Sequence, residues 1–337
     1  VNVVGYSVVG PALKAEEAAF QATPAGQNVT FTNSIGASDT ETTNISNGLP
    51  ADVVNLSYAS NMTTLVTTNH VPANWASQEV TLAGVNPALK GAKAQTTYPT
   101  PGIVTDSTVV FIVRSGNPLG IKTWSDITKP GVQIVTPNPA TSGSAKWNLL
   151  AAYAAWIATK HTGAQAQNFL KSVLANTVAQ PSSGSTALST FLAGTGNVLL
   201  DYEDDALAAQ AAGDAIQVVV PPQTLLIENP LALTVQGLLK PAAVAFYKYL
   251  FSAAGQGIFA SLGYRSVLKT IWAQTSSNFA AFTKPTYLQT VETLSPGGWT
   301  TLDPEFFGST VTFSKKDATH PTAGIVTYLE QFAGTGS

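Results

Sequence analysis

An α/β fold with parallel sheets is what this sequence predicts, on three observations. Apolar segments alternate with helix-forming segments along residues 1–56 in the order βαβαβ, and that order needs crossover helices between parallel strands. The alternation returns at residues 132–206, again with small-residue turns between strand and helix. At 337 residues the chain is long enough for two such domains.

Residues 1–9 (VNVVGYSVV) predict the first strand, ended by Gly10-Pro11. Residues 12–21 predict a helix, with Leu13, Glu16, Glu17 and Phe20 at helical spacing. Residues 29–34 alternate as a second strand. The small-residue turn from Gly36 to Thr40 then opens a polar helix that ends near Asn47-Gly48, and residues 51–56 form a short buried strand. Residues 77–100, rich in Ala, Thr and Pro, predict a linker or excursion. Residues 105–114 (TDSTVVFIVR) are the strongest strand, followed by an SGNP turn and a short helix at TWSDI. The apolar segment 132–135 runs through a Pro-rich turn into Ser142-Gly143-Ser144 and a helix toward Lys160. Trp147, Leu150, Ala154 and Ile157 give that helix one apolar face. A helix at 164–175, a helix start from Ser182 to Thr186, and a strand at 197–202 entering the helix EDDALAAQAA come next. Strands are predicted at 216–220 and 231–235 with Pro221-Pro222 between them, then an amphipathic helix pair over 240–262 broken near 252–255.

Composition excludes several functions. Hydrophobic residues are 45% of the chain, yet no apolar run approaches the roughly 20 residues of a membrane helix, so a soluble globular chain is expected. Charged residues are 10%, against a usual figure of about 25%, and a surface of so little charge suits an acidic medium. A net charge of −3 with 16 Lys and Arg leaves no basic footprint for nucleic acid. Cysteine is absent, which removes disulfides, thiolate metal sites and a Cys nucleophile. The chain begins on a strand without a signal peptide, as a processed chain would, and a lipid-anchor cysteine could have preceded Val1. His70, His161 and His320 lie away from strand ends and no G-x-S-x-G occurs, so a serine hydrolase is not expected. Asp201, Glu203, Asp204 and Asp205 read as first-turn acids favoured by the helix dipole rather than as metal ligands. Gly184-Ser185-Thr186 lacks the Lys of a nucleotide P-loop. The Trp147/Trp156 and Phe246/Tyr249 stripes read as core. No metal or cofactor is predicted.

What remains is a repeated device. Four turns of Gly or small hydroxyl residues precede helices, around Ser7, Ser38, Ser142 and Ser182. The first N–H groups of a helix have no intrahelical partner and the dipole adds partial positive charge, so such a turn suits an anion. Strand-to-helix turns also lie at the carboxyl edge of an open α/β sheet, where ligands bind. Four of them suggest several helix starts sharing one anion.

Four stretches carry a more specific likeness: NGLPADVV (47–54), STVVFIVRSGNP with KPGVQIVTPNPATSGSAKWNLLAAY (within 107–153), GTGNVLLDYEDDA (194–206) and AVAFYKYLFSAAGQGIFASLGYRSV (243–267). With GGW at 297–299, they resemble the periplasmic sulfate-binding proteins, the solute receptors of sulfate/thiosulfate ABC importers. The resemblance implies a type II periplasmic-binding fold. Each of its two lobes has a mostly parallel sheet flanked by helices, with the ligand in the interlobe cleft. The lobes would be residues 1–106 plus 221–337, and 107–220. It also implies an extracytoplasmic monomer that binds sulfate or a related oxyanion, works with ABC importer permease subunits, and catalyses nothing. In that family sulfate is held by backbone N–H groups, hydroxyls and one aromatic donor, with no cation touching it. Position by position, this implicates Ser7, Ser38, Ser142, Gly143, Ser144, Ser182 and Tyr202. Tyr202 departs from the family's tryptophan, exchanging an indole donor for a phenol that can donate and accept. Asp39-Thr40 departs from a usual Gly-Lys pair; Asp39 either faces the ligand, which would favour a protonated oxyanion such as phosphate, or caps its helix from outside. Lys146 and Arg265 resemble basic residues that support the helices rather than touch ligand. Thiosulfate, molybdate/tungstate and phosphate are the alternative ligands, and an enzyme acting on a sulfated or phosphorylated substrate is the rival class.

Overall fold

The first strand, β1 (Asn2–Tyr6), lies at the centre of its sheet, because alternate residues such as Val4 and Tyr6 are buried and both its edges are paired. The computed structural model describes residues 1–79, 81, 102–279, 287–309 and 323–334. Most of the linker predicted over 77–100, and His320, lie outside these residues. By Cα packing the chain divides into two units, Val1–Ser107 with Glu228–Phe279, and Thr108–Ile227 with Ala280–Ser337. It passes from one to the other inside β4 (Ile103–Arg114) and again inside β9 (Gln223–Leu233).

In the first unit, β1 pairs in parallel with β2 (Thr32–Gly36) on one side and β3 (Val53–Asn55) on the other. The start of β1 runs no further than Tyr6: Ser7–Val9 wind into a 3-10 turn that leads directly into α1 (Gly10–Gln21). Pro11 sits in the first turn of α1, where its missing N–H is no loss. The second strand begins three residues later than the alternation suggested. Helices α2 (Ser38–Ser46) and α3 (Ala59–Thr67) follow β2 and β3. On its far side β3 pairs antiparallel with β9, Val53 opposite Leu233. Here β9 absorbs Pro230, which the sequence left outside any strand. Its carbonyl accepts from Leu56 N–H at 3.1 Å and from Asn55 Nδ2 at 2.9 Å. The helix pair α8 (Pro241–Leu250) and α9 (Ala253–Ser261) breaks where expected, with Ser252 Oγ capping Gly255 N–H.

In the second unit, β4 pairs antiparallel with β7 (Val198–Tyr202) and β8 (Ile216–Val219). The short β5 (Ile134–Val135) lies parallel to both β7 and β6 (Thr177–Ala179). Four helices follow these strands: α4 (Gly143–Ala158), α5 (Gly163–Ala175), α6 (Gly184–Leu192) and α7 (Glu203–Ala211).

Two expectations are corrected in this unit, and for one reason. Residues 287–309 and 323–334 pack here rather than with the first lobe, and α4 is apolar nearly all round rather than on one face. Leu149, Leu150, Ala151 and Ala152 are consecutive and fully buried, so the helix needs cover on more than one side. A later helix, Trp299–Phe307, supplies it. Trp299 meets Trp147 edge-on at 4.7 Å, Phe306 meets Tyr153 at 4.8 Å, and Asp303 bonds Lys146 Nζ at 3.0 Å.

Candidate functional site

Because β1, β2 and β3 run parallel, the turns after them open α1, α2 and α3 at the same edge of the first sheet. Tyr6 lies opposite Gly36, so Ser7 and the Ala37-Ser38 turn follow from paired positions. Ser7 is half-buried at the start of its 3-10 turn. Ser38, the first residue of α2, is 2% exposed, and its Oγ accepts Ser57 N–H at 2.8 Å. A hydroxyl that accepts from behind has its own proton to direct elsewhere. Asp39, half-buried, does not stand alone. Its Oδ1 accepts from Tyr58 Oη at 2.9 Å and Asn61 Nδ2 at 2.8 Å, both at the start of α3.

The second sheet repeats the arrangement. The parallel strands β5, β6 and β7 end at one edge, where α4, α6 and α7 begin. Ser142 occupies the N-cap position of α4 with extended backbone (φ −118°, ψ 121°), but its side chain makes no capping bond. Its Oγ instead lies 3.0 Å from Ser144 Oγ, and its N–H donates to Asn138 O at 2.9 Å. The Ser142 hydroxyl is thus paired with that of Ser144 rather than with its own helix start, and Gly143 and Ser144 bring the first helical N–H groups. Ser142, Gly143 and Ser144 are all buried. The neighbouring turn is tied to this one: Thr141 Oγ1 donates to Ser182 O at 2.8 Å and Asn138 N–H to Pro181 O at 2.8 Å. Ser182 itself is exposed, and it is Ser183 that caps α6, accepting Thr186 N–H. Tyr202, fully buried, is the last residue of β7 and leads straight into α7. Asn148 Nδ2, donating to Leu200 O at 2.8 Å, holds α4 against that strand.

The residues at these helix starts include no cation. Lys146, one turn into α4, is engaged with Asp303. Behind Tyr202, burial raises two of the acids. Asp201, fully buried and accepting Tyr202 N–H at 2.8 Å, is pushed well up, chiefly by burial and then by Asp205. Burial raises Asp205 to about 7. What the two edges present is N–H and hydroxyl donors and helix dipoles, which can share the charge of a small anion and offer few groups for bond-making chemistry.

Each unit therefore assembles its own subset of the predicted residues: Ser7 with Ser38 in the first, and the Ser142 triplet with Ser182 and Tyr202 in the second. The start of α3, with Ser57 and Tyr58, was missed. A hydroxyl pair after the strand at 51–56 was the available signal. A surface cavity of about 330 Å³ in the first unit, bordered by Ala51, His70 and Val235, flanks the entrance of β3 rather than its helix-bearing end.

Residues 1–265 match the family described as bacterial extracellular solute-binding protein. A sulfate-binding protein of Synechococcus elongatus is 33% identical over 322 residues, covering 94% of this chain and 85% of that protein. A thiosulfate-binding protein of Pseudomonas aeruginosa is 30% identical over 269 residues, 77% of this chain and 75% of the relative. Among solved structures, the sulfate-binding protein SubI from Mycobacterium tuberculosis matches with a TM-score of 0.81 at 34% identity. That match covers 91% of this chain and 99% of SubI.

Proposed function

The chain belongs to the bacterial extracellular solute-binding protein family, and from that premise we propose that it is an extracytoplasmic receptor that binds sulfate and delivers it to an ABC importer. The observation that carries this reading is the start of α4: Ser142 in the N-cap position with its hydroxyl left out of the cap, followed by buried Gly143 and Ser144. Ser7, Ser38, Ser182 and Tyr202 complete the proposed set of donors. The receptor acts by binding alone, as a monomer, periplasmic or tethered to the outer face of the cytoplasmic membrane. Its proposed lobes are the two units, each contributing its own helix-start donors.

Selectivity follows from the donor set. Sulfate has no proton to give at neutral pH, so a pocket of donors satisfies all its oxygens. Hydrogen phosphate would set its own O–H against a protein donor and leave a buried group unpaired, at a cost of about 1–3 kcal/mol for each mismatch. Thiosulfate, with three oxygens and the same charge, is the second reading, supported by the Pseudomonas aeruginosa relative.

Thermal melting in the presence of sulfate, thiosulfate, molybdate and phosphate tests the reading. A ligand at a hundred times its Kd stabilises by about 2.7 kcal/mol, so sulfate should raise the midpoint visibly and phosphate should not. Turnover of a sulfate or phosphate ester without any anion-dependent shift would favour an enzyme instead.

A further inference from the structure

Asp39 is the second residue of α2, at the edge of the proposed site, where a negative charge ought to hinder a dianion. Its hydrogen bonds give it another task. Its Oδ1 receives two donors from α3, Tyr58 Oη at 2.9 Å and Asn61 Nδ2 at 2.8 Å. Alongside, Ser57 N–H donates to Ser38 Oγ at 2.8 Å. Two successive residues at the start of α2 are thereby joined to three residues around the start of α3. Tyr58 and Asn61 are 2% and 3% exposed, so their donors need a protein acceptor, and a carboxylate oxygen accepts without competing as a donor. As the second residue of α2, Asp39 also places its charge where the helix dipole is favourable.

We propose that Asp39 is a positioning residue that ties the start of α2 to α3 and so presets the N–H and hydroxyl of Ser38 as ligand donors. The proposal rests on the sulfate reading for its functional consequence, but the tie itself exists without ligand. What matters is the acceptor Oδ1 rather than the negative charge. An amide at this position keeps the acceptor and removes the charge, whereas a methyl removes both.

Full-length Asp39→Ala, Asp39→Asn and Tyr58→Phe proteins separate these effects in two measurements, calorimetric titration with inorganic sulfate and amide hydrogen exchange without ligand. Asp39→Ala should bind sulfate at least about 10-fold more weakly and exchange faster across residues 38–41. Asp39→Asn should restore both to within about 3-fold of the starting protein. Tyr58→Phe should weaken binding less, and add little to Asp39→Ala, because both break one tie. Equal loss in the Asn and Ala variants, or tighter binding in both, would overturn the proposal by showing that charge governs. So would unchanged exchange in Asp39→Ala. If the unaltered protein binds no tetrahedral oxyanion while exchange responds as described, the tie stands and the sulfate reading fails. If the unaltered protein binds sulfate and Asp39→Ala matches it, the tie alone fails.

Discussion

Gly143→Asp should abolish sulfate binding. The substitution puts a carboxylate at the first helical residue of α4, between Ser142 and Ser144, where the proposed ligand takes its N–H bonds. Two unit charges about 4 Å apart repel by about 4 kcal/mol at an effective dielectric near 20, and sulfate carries two charges. A loss of about 1000-fold or more is expected by titration calorimetry. Because Gly143 is buried, the new carboxylate also costs stability, so the variant's fold is checked by its melting curve and circular dichroism alongside the titration. Ser142→Ala is the milder companion. Losing one hydrogen bond to a charged group costs about 1.5–3 kcal/mol, a drop of roughly 10- to 100-fold. A Gly143→Asp protein that binds sulfate normally would remove α4 from the site.

The second large effect is on stability, which should be greatest in acid. Glu16, on α1, is fully buried, and burial, partly offset by the Phe259 backbone, pushes it up to about 9. Burial raises Glu79 to about 7, partly offset by the Gly102 N–H that it accepts at 2.8 Å. Asp205 is likewise raised to about 7 by burial, and Asp106 and Asp201 are raised as well, again first by burial. A raised carboxyl keeps its proton in the folded state after the unfolded chain has released it. Its contribution is therefore complete below the ordinary carboxyl range and is lost as pH climbs, through about 7 for Glu79 and Asp205 and about 9 for Glu16. Each such group withdraws about 1.4 kcal/mol per pH unit inside its window.

Asp126 works the other way. Burial would raise it, but bonds from Lys129, Lys122 N–H and Thr123 bring it down to about 2, so its contribution fades only in stronger acid. Melting across pH should accordingly show a midpoint highest near about pH 4–5 and lower by on the order of 10 °C near pH 9. Glu16→Gln should flatten the alkaline side. An optimum near pH 8 would contradict the buried-acid account. A charged-residue content of 10% agrees with an acidic working medium, in which sulfate remains ionised.

The fold was legible wherever local pattern and tertiary need coincide. Strand β3, the Ser252 break and the entry from β7 into α7 carry apolar runs bounded by turn residues, so periodicity finds them. Helix α3 was not legible because ASNMTTLVT is rich in Thr and Asn, poor helix formers; burial of Met62 and Leu65 and the Asn61–Asp39 bond hold it. The length of β9 was hidden by Pro230, which argues against a paired strand unless its carbonyl alone is used. The packing of residues 287–309 and 323–334 with the second unit was not legible, because nothing local in GGW states that its Trp packs on Trp147. At the candidate site, small residues at strand ends pointed to Ser142 and Ser38. The bond from Ser57 N–H to Ser38 Oγ was not, since it joins segments 19 residues apart.

The most direct test of the central claim is titration calorimetry of dialysed protein with sulfate and with phosphate, at about pH 5 and about pH 8. A donor-only site predicts tight one-to-one sulfate binding and weak phosphate binding at both pH values. Preference for phosphate at either pH, or silence toward both anions, would contradict it.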